Sequence, residues 1–179
     1  MRDRLRDRHR AGILILLAAL AVIPYLPTLA QPLIEDDFPN LTIALQVGSP
    51  HKLAGLATSV YRLRATSEWL MCALYHLFGM HAVGYHAVSI ALHVLNTLLV
   101  YALGAWPPLD YKLSIWAAGF FAIAEGHQEA IMWFSGCNEL LIFLFGMLAF
   151  VAAILSLWAT PRRAAAGATA PEGLRQPAE

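Results

Sequence analysis

Long apolar runs separated by short polar interruptions organise this chain. Residues 11–30, 85–105 and 140–158 are each almost unbrokenly apolar, and crossing a hydrocarbon core takes about 20 such residues at about 1.5 Å of rise each. A fourth run, Leu113 to Ala124, is cut short by Glu125, and extending it back to Pro108 gives a span over residues 108–124. The stretch from Trp69 to Met80 is too short to cross and suits an interfacial or re-entrant helix. The pattern therefore predicts an all-α fold: a polytopic helical membrane protein with four transmembrane helices and one interfacial or re-entrant helix.

Composition agrees, with 59% apolar residues, 13% charged residues and a mean hydropathy of +0.57, values of a membrane protein rather than a soluble domain. Net charge is zero, but the placement of the cations carries information. With four spans and a cytoplasmic N-terminus, Arg2, Arg4, Arg6, Arg8, Arg10, Lys112, Arg162, Arg163 and Arg175 lie inside, and only Lys52, Arg62 and Arg64 lie outside. Counting Trp69 to Met80 as a further span leaves five cations inside against seven outside, so the positive-inside rule selects four. Residues 1–10 are then a basic cytoplasmic tail, residues 31–84 and 125–139 are outer loops, and residues 160–179, rich in Ala, Pro and Gly, are a disordered cytoplasmic tail. The lipid bilayer is the expected partner, and nucleic acid is not. The arginine-rich start and Thr28-Leu29-Ala30 before Gln31 also fit a cleaved signal peptide, which would leave the first loop outside as well.

Candidate chemistry concentrates in those outer loops. Asp36 and Asp37 follow the first span directly, in Ile34-Glu35-Asp36-Asp37-Phe38-Pro39-Asn40, and acids held close to lipid are costly enough to be kept for a purpose. The plain alternative is a solvated turn at Pro39-Asn40. The segment from Gln31 to Ser67 is punctuated by Pro32, Pro39, Gly48, Pro50 and Gly55 and reads as a loop with short helices at most. In the second loop, Glu125-Gly126-His127-Gln128-Glu129 faces the same side, and Glu129 reads equally well as the start of a short interfacial helix. Asp36, Asp37 and Glu129 are compatible with a divalent metal, although hard oxygen ligands spread over two loops have no spacing signature; no other cofactor is indicated. His86, Ser89, His93 and Asn96 recur at intervals of three, four and three and share one helix face. A hydrogen-bonded packing seam explains that stripe better than a ligand groove does. Cys72 and Cys137 both fall outside, where a disulfide is permitted but unsupported by any sign of proximity.

The order of these elements resembles a family. The acidic pair after the first span, Tyr61-Arg62, Leu77-Phe78-Gly79, Gly84-Tyr85-His86 with His93 and Asn96, then His127-Gln128-Glu129-Ala130-Ile131-Met132-Trp133 and Ser135-Gly136 ahead of Leu140-Leu141 are similar to the N-terminal half of GT-C glycosyltransferases. More narrowly, they look like bacterial relatives of the O-mannosyltransferases that carry tetratricopeptide repeats. The resemblance covers about residues 11–158; it departs at Leu63, where the family usually has proline, and at Cys137-Asn138-Glu139, where it tends to carry a basic residue and an Asp. It implies transfer of a sugar from a polyprenyl-phosphate donor to an acceptor at the outer face of a bacterial inner membrane. Asp36 and Asp37 would be catalytic, and Arg62, Arg64, His86, His127 and Glu129 would contact donor phosphate or substrate. Such enzymes are several hundred residues long, so the resemblance also implies a partial enzyme, either a truncated product or one part of a split enzyme whose missing helices come from a second membrane chain. Two other classes stay open: a non-catalytic membrane scaffold, and a small transporter subunit if the Glu125 to Glu129 loop lies within the bilayer.

Overall fold

The computed structural model describes residues 2–47, 52, 64–106 and 109–168, and among them every regular element is helical. Helix α1 (Arg2–Val22) continues as a 3-10 helix over Ile23–Ala30. Pro24 and Pro27 explain the change of winding, because each removes a backbone donor that an α-helix would use. After a short extended link come α2 (Asp37–Val47), α3 (Ala65–Phe78), α4 (Ala82–Ala102), α5 (Tyr111–Ile123), the single turn α6 (Gln128–Met132) and α7 (Cys137–Ala168).

Three apolar stretches are long enough to cross a membrane: Arg8–Ala30, Ala82–Ala102 and Phe134–Leu157. The fourth expected span is corrected, because α5 has only 13 residues. It begins where Asp110 caps the amide of Lys112, and it ends where Ala124 turns extended at φ −65°, ψ 127°. The chain nevertheless traverses the bundle here as a broken element. Tyr111 packs beside Tyr101, the Ala122 carbonyl meets His93, and Phe134 meets Tyr85. Those partners span 16 residues of α4, about 24 Å at helical rise.

Helix α4 is the central post. His86, Ser89, His93 and Asn96 are all buried, as their shared face requires. His93 Nε2 lies 3.0 Å from the Ala122 carbonyl in the last turn of α5, and Asn96 Nδ2 donates to the Leu140 carbonyl at 2.9 Å. The carbonyl can only accept, so Nε2 of His93 carries the proton. These two bonds pin α5 and α7 to the post, which is the packing-seam role. Neither ring nitrogen of His86 nor the Ser89 hydroxyl has a partner among the described residues.

Helix α3, 14 residues long, is shorter than a crossing, as expected of the stretch around Trp69 to Met80. It packs against α2, α4 and α7. Gly79 closes it at φ +58°, a conformation that side chains rarely adopt. Gly84 lets the first turn of α4 rest on the Phe78 ring, where a Cβ would collide. One expectation on the tails also changes. The segment over residues 31–84 contains the three-turn helix α2, in keeping with the short helices expected there, whereas α7 runs on to Ala168, so residues 160–168 are helical rather than disordered. Arg162 to Ala166 are good helix formers, and it is Pro161 and Gly167 on either side of them that make the tail read as irregular.

Candidate functional site

The first loop and the end of the second meet at one corner of the bundle. Glu35 turns the chain with φ +39°, an uncommon value for a residue with a side chain, and the Asp37 amide donates to the Ile34 carbonyl at 2.9 Å. That turn aims Asp37 inward, where it is 1% exposed. Its carboxylate then accepts three hydrogen bonds: Oδ2 from the Ile34 amide at 3.0 Å, and Oδ1 from both the Ser135 amide at 2.8 Å and the Ser135 hydroxyl at 2.7 Å. Bonds to an ionised acceptor are about twice as strong as neutral ones. Asn40, one turn further along α2, donates to the same Ser135 hydroxyl at 3.0 Å. The neighbouring Asp36 points the other way and is exposed.

Beneath the corner lies a small apolar core made of Leu33, Leu41, Ala44, Met71, Leu74, Tyr85, Phe134 and Cys137. Tyr85 meets Phe134 edge-on at 5.0 Å, and its hydroxyl donates to the Gly79 carbonyl at 2.8 Å. Cys72 packs against the same core, and both cysteines are free thiols.

Between α2, α3 and the Ser135 turn runs a narrow cleft lined by Asn40, Arg64, Ser67, Glu68 and Ser135. Glu68 is 4% exposed, and its Oε2 has no partner among the described residues. Burial raises its pKa from 4.5 to about 7, with the nearby Arg64 guanidinium opposing the rise. Ser67 gives its hydroxyl hydrogen to the Arg64 carbonyl at 2.8 Å, with the Asn138 amide oxygen 3.5 Å away. Sequence reasoning passed over Glu68 because it precedes the apolar run that begins at Trp69. Its spacing of four from Arg64 on one helix face was the available signal.

His127 lies elsewhere. Its ring is 4.2 Å from Phe121 and 5.6 Å from His93, at the middle of α4 rather than at its end. Here a second cleft, of about 310 Å³, is lined by Asn96, Phe121, His127, Glu139 and Phe143. The structure therefore joins Asp37 to the Ser135 end of the second loop, not to His127 or Glu129. Glu129 and Arg64 are exposed, His86 is sealed within the bundle, and Arg62 lies outside the described residues together with Tyr61. Among the described residues no three His, Cys, Asp or Glu side chains are grouped to hold a metal ion, so the set Asp36, Asp37 and Glu129 does not fit one.

No protein-family profile matches the chain, and no solved structure matches it. Two curated relatives do. A protein O-mannosyl-transferase of Caenorhabditis elegans is 27% identical over an alignment taking in 77% of this chain and 22% of that protein. A protein O-mannosyl-transferase of Drosophila melanogaster is 30% identical over 75% of this chain and 17% of its own length. The chain thus spans about a fifth of the length of the curated relatives it matches, and over that part it is a distant, glycosyltransferase-like relative of proteins named O-mannosyl-transferases.

Proposed function

We infer that this chain carries the acceptor corner of a GT-C-type membrane glycosyltransferase, which moves a sugar from a polyprenyl-phosphate donor to an acceptor hydroxyl. One observation carries the reading: Asp37 is locked to Ser135 across 98 positions of sequence, so two loops that would otherwise be independent present one surface. Kinship with the two O-mannosyl-transferases gives that surface its chemistry. Transfer needs a carboxylate to take the acceptor's proton as its oxygen attacks the anomeric carbon, and positive charge for the departing phosphate. Both Asp37 oxygens are engaged, so Asp37 orders the turn, and the exposed Asp36 is the free carboxylate. Arg64 at the mouth, with Arg62, supplies cationic charge. In this reading the corner opens at the outer face of a bacterial inner membrane with the N-terminus in the cytoplasm. The helices that complete the enzyme come from elsewhere in a longer protein or from a second membrane chain.

The test is sugar transfer from a polyprenyl-phosphate donor by membranes that contain this chain, with and without a co-expressed helical partner. Transfer is expected with the unaltered chain and is expected to be lost in Asp36→Asn and in Asp37→Asn at unchanged expression. Transfer undiminished by either substitution refutes the assignment. The position of His127 halfway along α4 favours a second reading, a small transporter subunit whose polar turn sits within the bilayer. Rapid modification of Gln128→Cys by a membrane-impermeant thiol reagent from the outer side would rule it out.

A further inference from the structure

The cleft beside Glu68 has room for about one water-sized group, and what borders it defines what it can hold. Glu68 reaches in with an unpartnered oxygen while 96% of its surface is covered. An orphaned buried carboxyl oxygen is costly unless something completes it. Across the cleft stand the Ser135 hydroxyl, already tied to Asp37 and Asn40, and at the mouth the exposed Arg64. A hard divalent cation would want six or more oxygen ligands, and an anion would meet the buried Glu68 carboxyl with the one lining guanidinium, Arg64, only at the mouth. A neutral hydroxyl is both donor and acceptor. It can give its hydrogen to Oε2 when Glu68 is ionised and receive one when Glu68 is protonated.

We propose that this cleft is a hydroxyl-binding subsite in which Glu68 hydrogen-bonds a single hydroxyl of a bound sugar or of the acceptor, between Ser135 and Arg64. It rests on the transferase reading for the identity of its ligand, not for its existence. The groups around Glu68 are Arg64, which caps the start of its helix, and the Cys137 thiol at the start of α7, with Asp37 behind the Ser135 hydroxyl rather than in the cleft. Among the described residues no other carboxyl lines the cleft, so one substitution isolates it.

Infrared difference spectroscopy on the purified chain at about pH 6 reads the site directly, because a protonated carboxyl and a carboxylate each have their own stretching band. The band lost in Glu68→Gln is assigned to Glu68. It is expected to move when methyl mannoside is added, if the hydroxyl is a sugar's, or when N-acetylserinamide is added, if it is an acceptor's. Glu68→Asp retracts the carboxyl by one methylene and is expected to keep a band that neither probe moves. A Glu68 band, whether of the protonated carboxyl or of the carboxylate, that is unmoved by both probes means structural water only and overturns the proposal. Sugar transfer serves as the separate control. Transfer with an unmoved band removes the subsite alone, whereas a moved band without transfer removes only the enzymatic reading.

Discussion

Replacing Asp37 by asparagine changes one atom and should loosen an entire corner. In the native arrangement Oδ2 accepts from the Ile34 amide, and Oδ1 accepts twice from Ser135. Asparagine can keep its oxygen toward Ser135, but its Nδ2 then faces the Ile34 N–H, donor against donor. The lost charge-assisted bond is worth about 1.5–3 kcal/mol, and the two bonds to Ser135 are weakened once the acceptor is neutral. A total of about 3 kcal/mol for the docking of the first loop is a fair order of magnitude, equivalent to about 150-fold in the opening equilibrium. Amide hydrogen exchange in detergent measures this at Ser135 and Ile34, where exchange should quicken by about that factor. Amides around His93 should be unaffected. Asp36→Asn, one residue away but exposed, should stay within about 0.5 kcal/mol of the unaltered chain. If both substitutions accelerate exchange equally, or neither does, the division of labour between the two aspartates is wrong.

Further outcomes are expected elsewhere. Burial holds the proton of Glu68 in the folded state between its ordinary 4.5 and about 7, so its contribution to stability is complete at low pH and is lost as pH rises through about 7. Glu68→Gln should remove that decline, up to about 3 kcal/mol, in unfolding midpoints measured across pH; a profile identical to that of the unaltered chain would contradict it. Gly84→Ala should destabilise by about 1–3 kcal/mol through collision with the Phe78 ring. Adding Phe78→Ala should recover part of that loss, and strict additivity of the two would show that they do not touch. His93→Leu takes the donor from the Ala122 carbonyl at a cost of about 0.6–1.7 kcal/mol. That loss should be visible as faster exchange in the last turn of α5 and nowhere in α1.

Apolar length made α1, α4 and α7 legible in the sequence, and the spacing of His86, Ser89, His93 and Asn96 correctly located the buried face of α4. The same counting of length failed for α5, because continuity depends on local backbone conformation. Ala124 goes extended ahead of Glu125 and Gly126, and the traverse is finished by short turns. Asp36 and Asp37 were indistinguishable as letters. Which of them turns inward follows from the positive φ at Glu35, a local conformation that no periodicity reveals. Glu68 was hidden for another reason: Asn40 and Ser135, which line its cleft, lie on other elements, so only the folded chain assembles that cleft.

Ser135 is made long after the aspartate it clamps, and this has a consequence for biosynthesis. Asp37 leaves the ribosome 98 residues before the partner that receives two of its three hydrogen bonds. At a translation rate of 5–20 residues per second that is a delay of roughly 5 to 20 s. During the interval the carboxylate has only Ile34 and solvent to satisfy it, so the nascent loop must remain in contact with water until the second half of the chain has been inserted. A drug or mutation that stalls synthesis between α4 and α7 would therefore leave a membrane-inserted intermediate with an open, unclamped corner, a species that quality-control proteases could recognise by its exposed Leu41 and Met71.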